Sequence, residues 1–171
     1  FAVVSIYDSS LTSTVTNFDI SRTYIYNSTA DGVYSYEDSR IWLTNSTINN
    51  YKIYDQSEIY VSWYLYIHVV DSISQDVPLA NVTATYPNAT VAESKLTGEN
   101  GWTRLRLGEK MMNTSGEYPI KNYTVEAKYE AYLSSTMVNM TGNKEIILLL
   151  EGLVVPEFTS SLILPVFVVA T

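Results

Sequence analysis

The chain of 171 residues contains no cysteine and only one histidine, so it has neither disulfides nor the ligands of the usual zinc sites. Its ten Lys and Arg residues stand against 18 Asp and Glu, which gives a net charge of −8. This acidic balance argues against nucleic acid as a partner, because phosphates need a basic surface. No window shows the apolar period of a helix. No cofactor or metal site is predicted.

The residues that are abundant favour strands. The chain has 15 Tyr, and 46% of its residues are hydrophobic, while only seven are Gly and five are Pro. Aromatic and β-branched residues are enriched in β-sheets, and a chain of this length can bury one moderate core or two small ones. The predicted fold class is therefore all-β.

The stretch from Trp63 to Asp71 separates two parts of the chain that follow different sequence patterns. Its residues alternate, as expected of a strand that packs on both sides. One face carries Leu65, Ile67 and Val69, and the other carries Tyr64, Tyr66 and His68. We expect the aliphatic face to belong to the domain that follows, and the aromatic face to rest against the preceding segment.

Residues 1–62 contain a loose repeat of an aliphatic residue, any residue, Asp or Asn, and two hydroxyl residues. It occurs at Ile6–Ser10, Ile25–Thr29 and Leu43–Thr47, at spacings of 19 and 18 residues. This period is typical of one coil of a β-solenoid, in which aliphatic side chains stack inside and Asn, Asp and Ser satisfy the backbone at the corners. Weaker echoes at Glu37–Ser39 and Asp55–Ser57 fit other corners of the same coils. A β-sandwich of short strands is the alternative.

The first coil of such a solenoid would be apolar and without a polar cap. Solenoids need capping to stay soluble, so we expect something to cover this end. The predicted assembly residues here are Phe1, Val3, Val4 and Ile6. The chain begins at Phe1 without an initiator Met or a signal segment, so it is expected to be a processed mature protein or a fragment.

From Asp71 onward the pattern becomes that of a sandwich. Pro78 introduces a new strand, Glu99-Asn100-Gly101 is a tight turn, and alternating segments follow up to Leu150. The Pro-Leu-Ala-Asn-Val, Glu-Asn-Gly-Trp and Tyr-Thr-Val segments between about residues 64 and 151 resemble the prealbumin-like, carboxypeptidase-regulatory-like β-sandwich domains. The resemblance implies a β-sandwich and carries no catalytic residues. The predicted organisation is a solenoid-like segment at 1–62, a sandwich at 63–151 and an apolar C-terminal segment at 152–171.

Seven Asn-x-Ser/Thr sequons occur, where about 2.6 are expected by chance from the Asn, Ser and Thr content. This excess favours N-glycosylation of a secreted chain. In the strands around residues 81, 122 and 139 the Asn lies on the face opposite the apolar residues, although ordinary turn and surface asparagines are the alternative. The predicted glycosylation sites are Asn27, Asn45, Asn81, Asn88, Asn113, Asn122 and Asn139.

The C-terminal segment carries the second resemblance. Pro156-Glu157-Phe158 followed by an apolar run is similar to the Pro-Glu-Phe sorting signal of archaeal surface proteins, in which the tripeptide precedes a membrane helix and a basic tail. Here the run from Leu162 to Ala170 has nine residues, against about 20 for a bilayer-spanning helix. A truncated membrane anchor, a strand buried against a neighbouring subunit and an intramolecular core strand all remain open. The predicted assembly residues are Leu162, Ile163, Leu164, Val166, Phe167 and Val168.

Residues with catalytic chemistry are few. His68 lies within an aromatic strand without Ser or Asp at a diagnostic spacing, and Asp71 and Asp76 lack the calcium-loop pattern, so turn chemistry is their expected role. We therefore expect no enzyme.

Two functions of different class follow. The first is a structural subunit of an extracellular, N-glycosylated archaeal cell-surface assembly, a filament or a layer, that polymerises with itself by β-strand addition. The second is a membrane-anchored adhesin or carbohydrate-binding module that uses exposed tyrosines among Tyr24, Tyr26, Tyr34 and Tyr36.

Overall fold

The computed structural model describes residues 2–155, and this part of the chain is all-β, as predicted. It contains fourteen strands and no helix. The strands are β1 (Val3–Tyr7), β2 (Ser10–Asn17), β3 (Arg22–Tyr26), β4 (Thr29–Ser35), β5 (Arg40–Thr44), β6 (Thr47–Ile53), β7 (Glu58–Asp71), β8 (Asn81–Thr85), β9 (Val91–Leu96), β10 (Trp102–Asn113), β11 (Gly116–Pro119), β12 (Asn122–Tyr129), β13 (Tyr132–Asn139) and β14 (Lys144–Leu150).

The first third of the chain is a two-sheet parallel solenoid, so the sandwich alternative for this segment is wrong. β1, β3, β5 and the start of β7 pair in parallel, and so do β2, β4 and β6. The register follows the sequence repeat, because Ile6 pairs with Ile25 and Ile25 with Leu43. One coil therefore corresponds to one 18- or 19-residue repeat, and its aliphatic residues stack on those of the next coil.

The repeated Asp and Asn residues form the first corner of each coil. Asp8, Asn27 and Asn45 have φ angles of 46°, 48° and 49°, in the left-handed region that Asn and Asp tolerate better than most residues. Their side chains form a ladder along the solenoid. Asn27 Nδ2 donates to Asp8 Oδ1 at 3.0 Å, and Asn45 Nδ2 donates to Asn27 Oδ1 at 2.9 Å. The motif thus specifies a backbone conformation and also links successive coils.

The weaker echoes form the opposite corner. Asp19, Glu37 and Asp55 have positive φ angles, and the serine two residues after each of them is buried. The aromatic residues that precede them stack, with ring centroids 4.8 Å apart for Phe18 and Tyr36 and 4.6 Å apart for Tyr36 and Tyr54. The hydrogen bond and negative charge of Asp19, with a smaller effect of Asp55, raise the pKa of Glu37 above its ordinary value.

β7 is a single strand of 14 residues that belongs to both parts of the molecule. Along one edge it pairs first with β5, up to Ser62, and then with β14, from Leu65 onward. Its other edge pairs with β10. The aromatic face lies beside β10, because Arg104 stacks on the Tyr64 ring and Trp102 on His68. The expectation that this face rests against the preceding segment is therefore wrong.

The sandwich packs β14, the second half of β7 and the part of β10 up to Leu107 against a second sheet in the order β13, β12, β8, β9. The tight turn predicted before β10 is present, and Gly101 has φ 69°. A Cβ at this position would lie 2.8 Å from the Val69 carbonyl oxygen, so both the conformation and the close approach require glycine. All nine residues that the alternation places inside are buried, which confirms the assignment of faces: Leu65, Ile67, Val69, Val82, Leu105, Leu107, Val125, Ala127 and Val138.

Two features join the solenoid to the sandwich. The hairpin of β10 and β11 extends beneath the solenoid, and its Met112 is buried in the solenoid core. Asn143 lies where β5 ends and β14 begins. Its Oδ1 accepts from the Tyr64 backbone N–H at 2.9 Å, and its Nδ2 donates to Asn45 Oδ1 at 2.7 Å. The side chain therefore satisfies a strand edge between two consecutive partners and extends the corner ladder into the sandwich.

Candidate assembly surfaces

The first end of the solenoid is open. Within residues 2–155, β1 pairs only with β3 and β2 only with β4, so each has one unpaired edge. Val3 and Val4 are 57% and 47% exposed, and Ile6 is half-buried against the solenoid core. Unpaired edges beside exposed apolar side chains are templates for adding another strand.

The remaining predicted assembly residues cannot be placed on this surface. Phe1 and the C-terminal residues lie outside the described part of the chain, namely Leu162, Ile163, Leu164, Val166, Phe167 and Val168. Between residues 2 and 155 there is no helix long and apolar enough to cross a membrane.

The second end of the solenoid has a surface that the sequence interpretation did not identify. β6 pairs only with β4 among the described strands, and a cavity of about 200 Å³ lies between β6 and the β10–β11 hairpin. Its lining includes the apolar residues Leu43, Ile48, Val61, Trp63 and Met112. One signal could have revealed it: the repeat supplies a further first strand at residues 58–62 but no second strand after it.

A small polar cluster lies at the mouth of this cavity. The Tyr51 hydroxyl donates to Glu117 on β11, and Lys110 Nζ lies 3.0 Å from the other carboxylate oxygen of Glu117. The hydrogen bonds from Tyr51 and then Lys110 lower the pKa of Glu117, and the hydrogen bond to Glu117 raises the pKa of Tyr51. Glu117 therefore stays ionised at neutral pH, and this cluster joins β6 to the hairpin.

None of the seven sequon asparagines is buried. Asn27, Asn81, Asn88, Asn122 and Asn139 are exposed, and Asn45 and Asn113 are partly exposed. Asn81, Asn122 and Asn139 alternate with the buried residues Val82, Tyr123 and Val138. Asn27 and Asn45 differ from the other five because both side-chain amide atoms of each are bonded within the ladder, those of Asn27 to Asp8 and Asn45 and those of Asn45 to Asn27 and Asn143.

The tyrosines of the solenoid form stacks along its axis. The Tyr24 ring stacks on Trp42 at 4.8 Å, Tyr26 stacks on Tyr7 at 4.9 Å, and Tyr36 lies between Phe18 and Tyr54. Lys52 Nζ lies over the Tyr34 ring, 5.0 Å from its centroid. A neighbouring side chain therefore covers at least one face of each of these rings, and both faces of the Tyr36 ring are covered.

The candidate polar residues of the sandwich have structural partners. His68 Nε2 lies 2.7 Å from Asp76 Oδ1, and the buried Asp71 carboxylate accepts backbone N–H groups from Ile73, Gln75 and Val155. Across residues 2–155 no three acidic or histidine side chains converge in a way that could hold a metal ion. The Asp71 contacts are those of a turn anchor that also holds the segment after β14.

The chain has low similarity to several bacterial proteins of known structure. Neither a protein-family model nor a curated protein sequence matches it. The shaft pilin spaA of Lactobacillus rhamnosus GG is similar at 10% identity and a TM-score of 0.41, over 52% of this chain and 48% of that one. The TIE protein of Bacillus anthracis is similar at 17% identity and a TM-score of 0.41, over 60% and 18% of the two chains.

The major pilin subunit BcpA of Bacillus cereus is also similar, at 15% identity and a TM-score of 0.28, over 51% of this chain and 28% of that chain. This chain spans less than half the length of each of these three proteins. Because all three TM-scores are below 0.5, the function proposed below rests on the geometry of this chain.

Proposed function

We propose that this protein is a non-enzymatic structural subunit of an extracellular, N-glycosylated archaeal cell-surface assembly, a filament or a layer, in which copies join by β-strand addition. The observation that carries the proposal is the unclosed solenoid, whose terminal strands have unpaired edges beside exposed apolar residues such as Val3 and Val4. Such edges are normally blocked by charges, bulges or covering loops in monomeric proteins.

The donor in this proposal is the apolar segment 162–170. The segment has seven large apolar side chains, and burying them is worth on the order of 10 kcal/mol, which is enough to hold subunits together without disulfides. Head-to-tail addition of a strand from one copy to the next produces an open polymer when the rotation between copies does not close. The archaeal origin in the proposal follows the Pro-Glu-Phe resemblance at residues 156–158.

Deletion of residues 159–171 tests the proposal. We expect the intact chain to form ordered polymers by negative-stain imaging and size-exclusion chromatography, and the truncated chain to remain monomeric with unchanged far-UV circular dichroism, because the donor strand is gone. The matched control replaces Ser160 and Ser161 by alanine and keeps the apolar run. Polymers of the truncated chain that equal those of the intact chain, or an intact chain that stays monomeric at all concentrations, contradict the proposal.

Glycan occupancy is a second expected property of the proposed assembly. We expect glycopeptide mass spectrometry of native material to show glycans on most sequons, including Asn81, Asn88, Asn122 and Asn139, because these side chains are exposed. Asn27 and Asn45 are expected to be the least occupied, since the side-chain amide of each is bonded on both sides within the ladder. Bare asparagines at positions 81, 122 and 139 would argue against a glycosylated surface protein.

A further inference from the structure

The two sheets of the solenoid contain unequal numbers of strands. The sheet of β1, β3 and β5 continues into β7 as a fourth parallel strand, whereas the opposite sheet ends at β6, its third strand. The chain leaves the solenoid through β7 and enters the sandwich, so residues 2–155 supply no strand for the place beside β6. The fourth coil is therefore half complete.

The structure allows one strand, but not a whole coil, at this place. β10 pairs with β7 through residues 59–61, so it occupies the position that the first strand of a stacked coil would take. A second solenoid therefore cannot continue this one, because its first strand would overlap the hairpin. The cavity of about 200 Å³ between β6 and the hairpin remains as a groove, and Thr47, Ile48 and Tyr51 of β6 contribute to its lining.

The inward-facing side chains of β6 are less buried than those of the neighbouring strand β4. Tyr51 pairs with Val33 in register and lies on the same inward-facing column, yet Tyr51 is 45% exposed while Val33 is fully buried. Ile48 is in register with the buried Ala30 and is only partly covered. These inward positions lack the neighbour that the next strand of the sheet supplies to β2 and to β4.

We propose that the groove along the free edge of β6 accepts residues 162–170 of a second copy as the missing fourth strand. The inference rests on the proposed function and identifies the acceptor in it, which is this groove rather than the open end at β1 and β2. The nine apolar residues are long enough to cover the seven residues of β6, and their side chains match an apolar lining. Pro165 is compatible with an edge strand in which its nitrogen points away from β6.

The reach of the chain indicates that the donor comes from another copy. The Val155 N–H is bonded to Asp71, and Asp71 lies eight residues beyond Trp63 on the same strand, about 26 Å away at the rise of a β-strand. The seven residue steps from Val155 to Leu162 span at most about 24 Å when fully extended. The tail of the same copy would therefore have to run fully extended from Val155 to Leu162 merely to begin at the groove, and a second copy meets no such requirement.

A single added strand makes more contacts in the β6 groove than at the open end formed by β1 and β2. A strand beside β6 contacts the β10–β11 hairpin on its other side, whereas a strand beside β1 leaves the β2 edge and the core between them uncovered. Entry of the strand displaces the Tyr51 side chain, which breaks its hydrogen bond to Glu117. An exposed hydrogen bond is a small cost compared with the burial of several apolar side chains.

Disulfide crosslinking tests the acceptor, because the natural chain has no cysteine. Asn50→Cys on β6 is combined with Ile163→Cys in one full-length protein and with Leu164→Cys in another, so that both faces of the tail are sampled. A disulfide forms only when the two Cα atoms lie within about 7 Å. The controls carry the same tail substitutions with Val4→Cys on β1 or Ile147→Cys on β14, whose outer edges are also free among the described strands. Each protein is first imaged under reducing conditions.

We expect the β6 pair to give a ladder of covalent multimers on non-reducing gels, with a tail-to-β6 disulfide identified by mass spectrometry, and the Val4 and Ile147 pairs to stay non-covalent. If the tail cysteine forms disulfides at position 4 or 147 and not at position 50, the assignment of β6 as the acceptor is wrong. The proposal that copies join by strand addition would still stand in that case. A disulfide within one chain would overturn the second copy as donor. Absence of polymers in the unmodified protein is the separate outcome that removes the proposed function.

Discussion

Replacement of Val125 by aspartate is expected to unfold the sandwich. Val125 lies on β12, is fully buried in the sandwich core, and pairs with Ala84 and Thr136 on the adjacent strands. An unpaired carboxylate in this position costs roughly 3–5 kcal/mol, and small domains have total stabilities of only about 5–15 kcal/mol. Urea unfolding followed by circular dichroism should show loss of most of the native stability or complete unfolding.

The matched control is Lys128→Asp on the same strand. Lys128 is exposed and belongs to no sequon, so its substitution introduces the same side chain without burying it. A surface change of this kind is expected to alter the free energy of unfolding by about 0.5 kcal/mol or less. Equal stabilities for the two variants would show that β12 does not present Val125 to the core.

Asp71→Asn is expected to be the most destabilising change of a single charged group. The Asp71 carboxylate is fully buried and accepts hydrogen bonds from Ile73 N at 2.9 Å, Gln75 N at 2.8 Å and Val155 N at 2.7 Å. In an asparagine side chain, an NH2 group replaces one carboxylate oxygen and faces at least one of these backbone N–H donors without accepting from it. The remaining amide oxygen is uncharged, so its hydrogen bonds are weaker than those of the carboxylate. A buried donor that loses its charged acceptor is costly. We therefore expect the free energy of unfolding, measured with urea at pH 7, to fall by about 2–3 kcal/mol. Asp38→Asn, on an exposed corner of the solenoid, is the matched control.

The same residue predicts a pH dependence. Burial by itself would raise the pKa of Asp71, but the hydrogen bonds from Val155, Gln75 and Ile73 outweigh it and hold the pKa below its ordinary value of 3.8. A carboxyl whose pKa is lower in the folded state stabilises the protein above the unfolded pKa, and this contribution is lost as pH falls through the folded pKa. The difference in unfolding free energy between the native protein and Asp71→Asn should therefore be constant near neutral pH and narrow below about pH 3.8. A difference that widens on acidification would contradict this role.

Local patterns in the sequence predicted much of the architecture. The 18- and 19-residue spacing of Asp8, Asn27 and Asn45 predicts the solenoid, because each of these residues must adopt a left-handed backbone at the same corner of its coil. Alternation predicts the inward residues of β7, β10 and β12, because a strand has a period of two. These features are visible in the sequence since each depends on residues that are close together or that repeat.

The contacts between the two parts of the molecule have no such periodicity. Nothing near Asn143 predicts that it bonds to Asn45, 98 residues earlier, or that Met112 enters the solenoid core. The chain continues along β7 into the sandwich, so the sheet of β2, β4 and β6 has no fourth strand. That the β10 hairpin occupies the place of the next coil follows only from the pairing of β10 with β7. The sequence by itself determined the coils, the corners and the buried faces. The tertiary structure alone decided which strand edges are covered, because that depends on pairing between segments that are far apart along the chain.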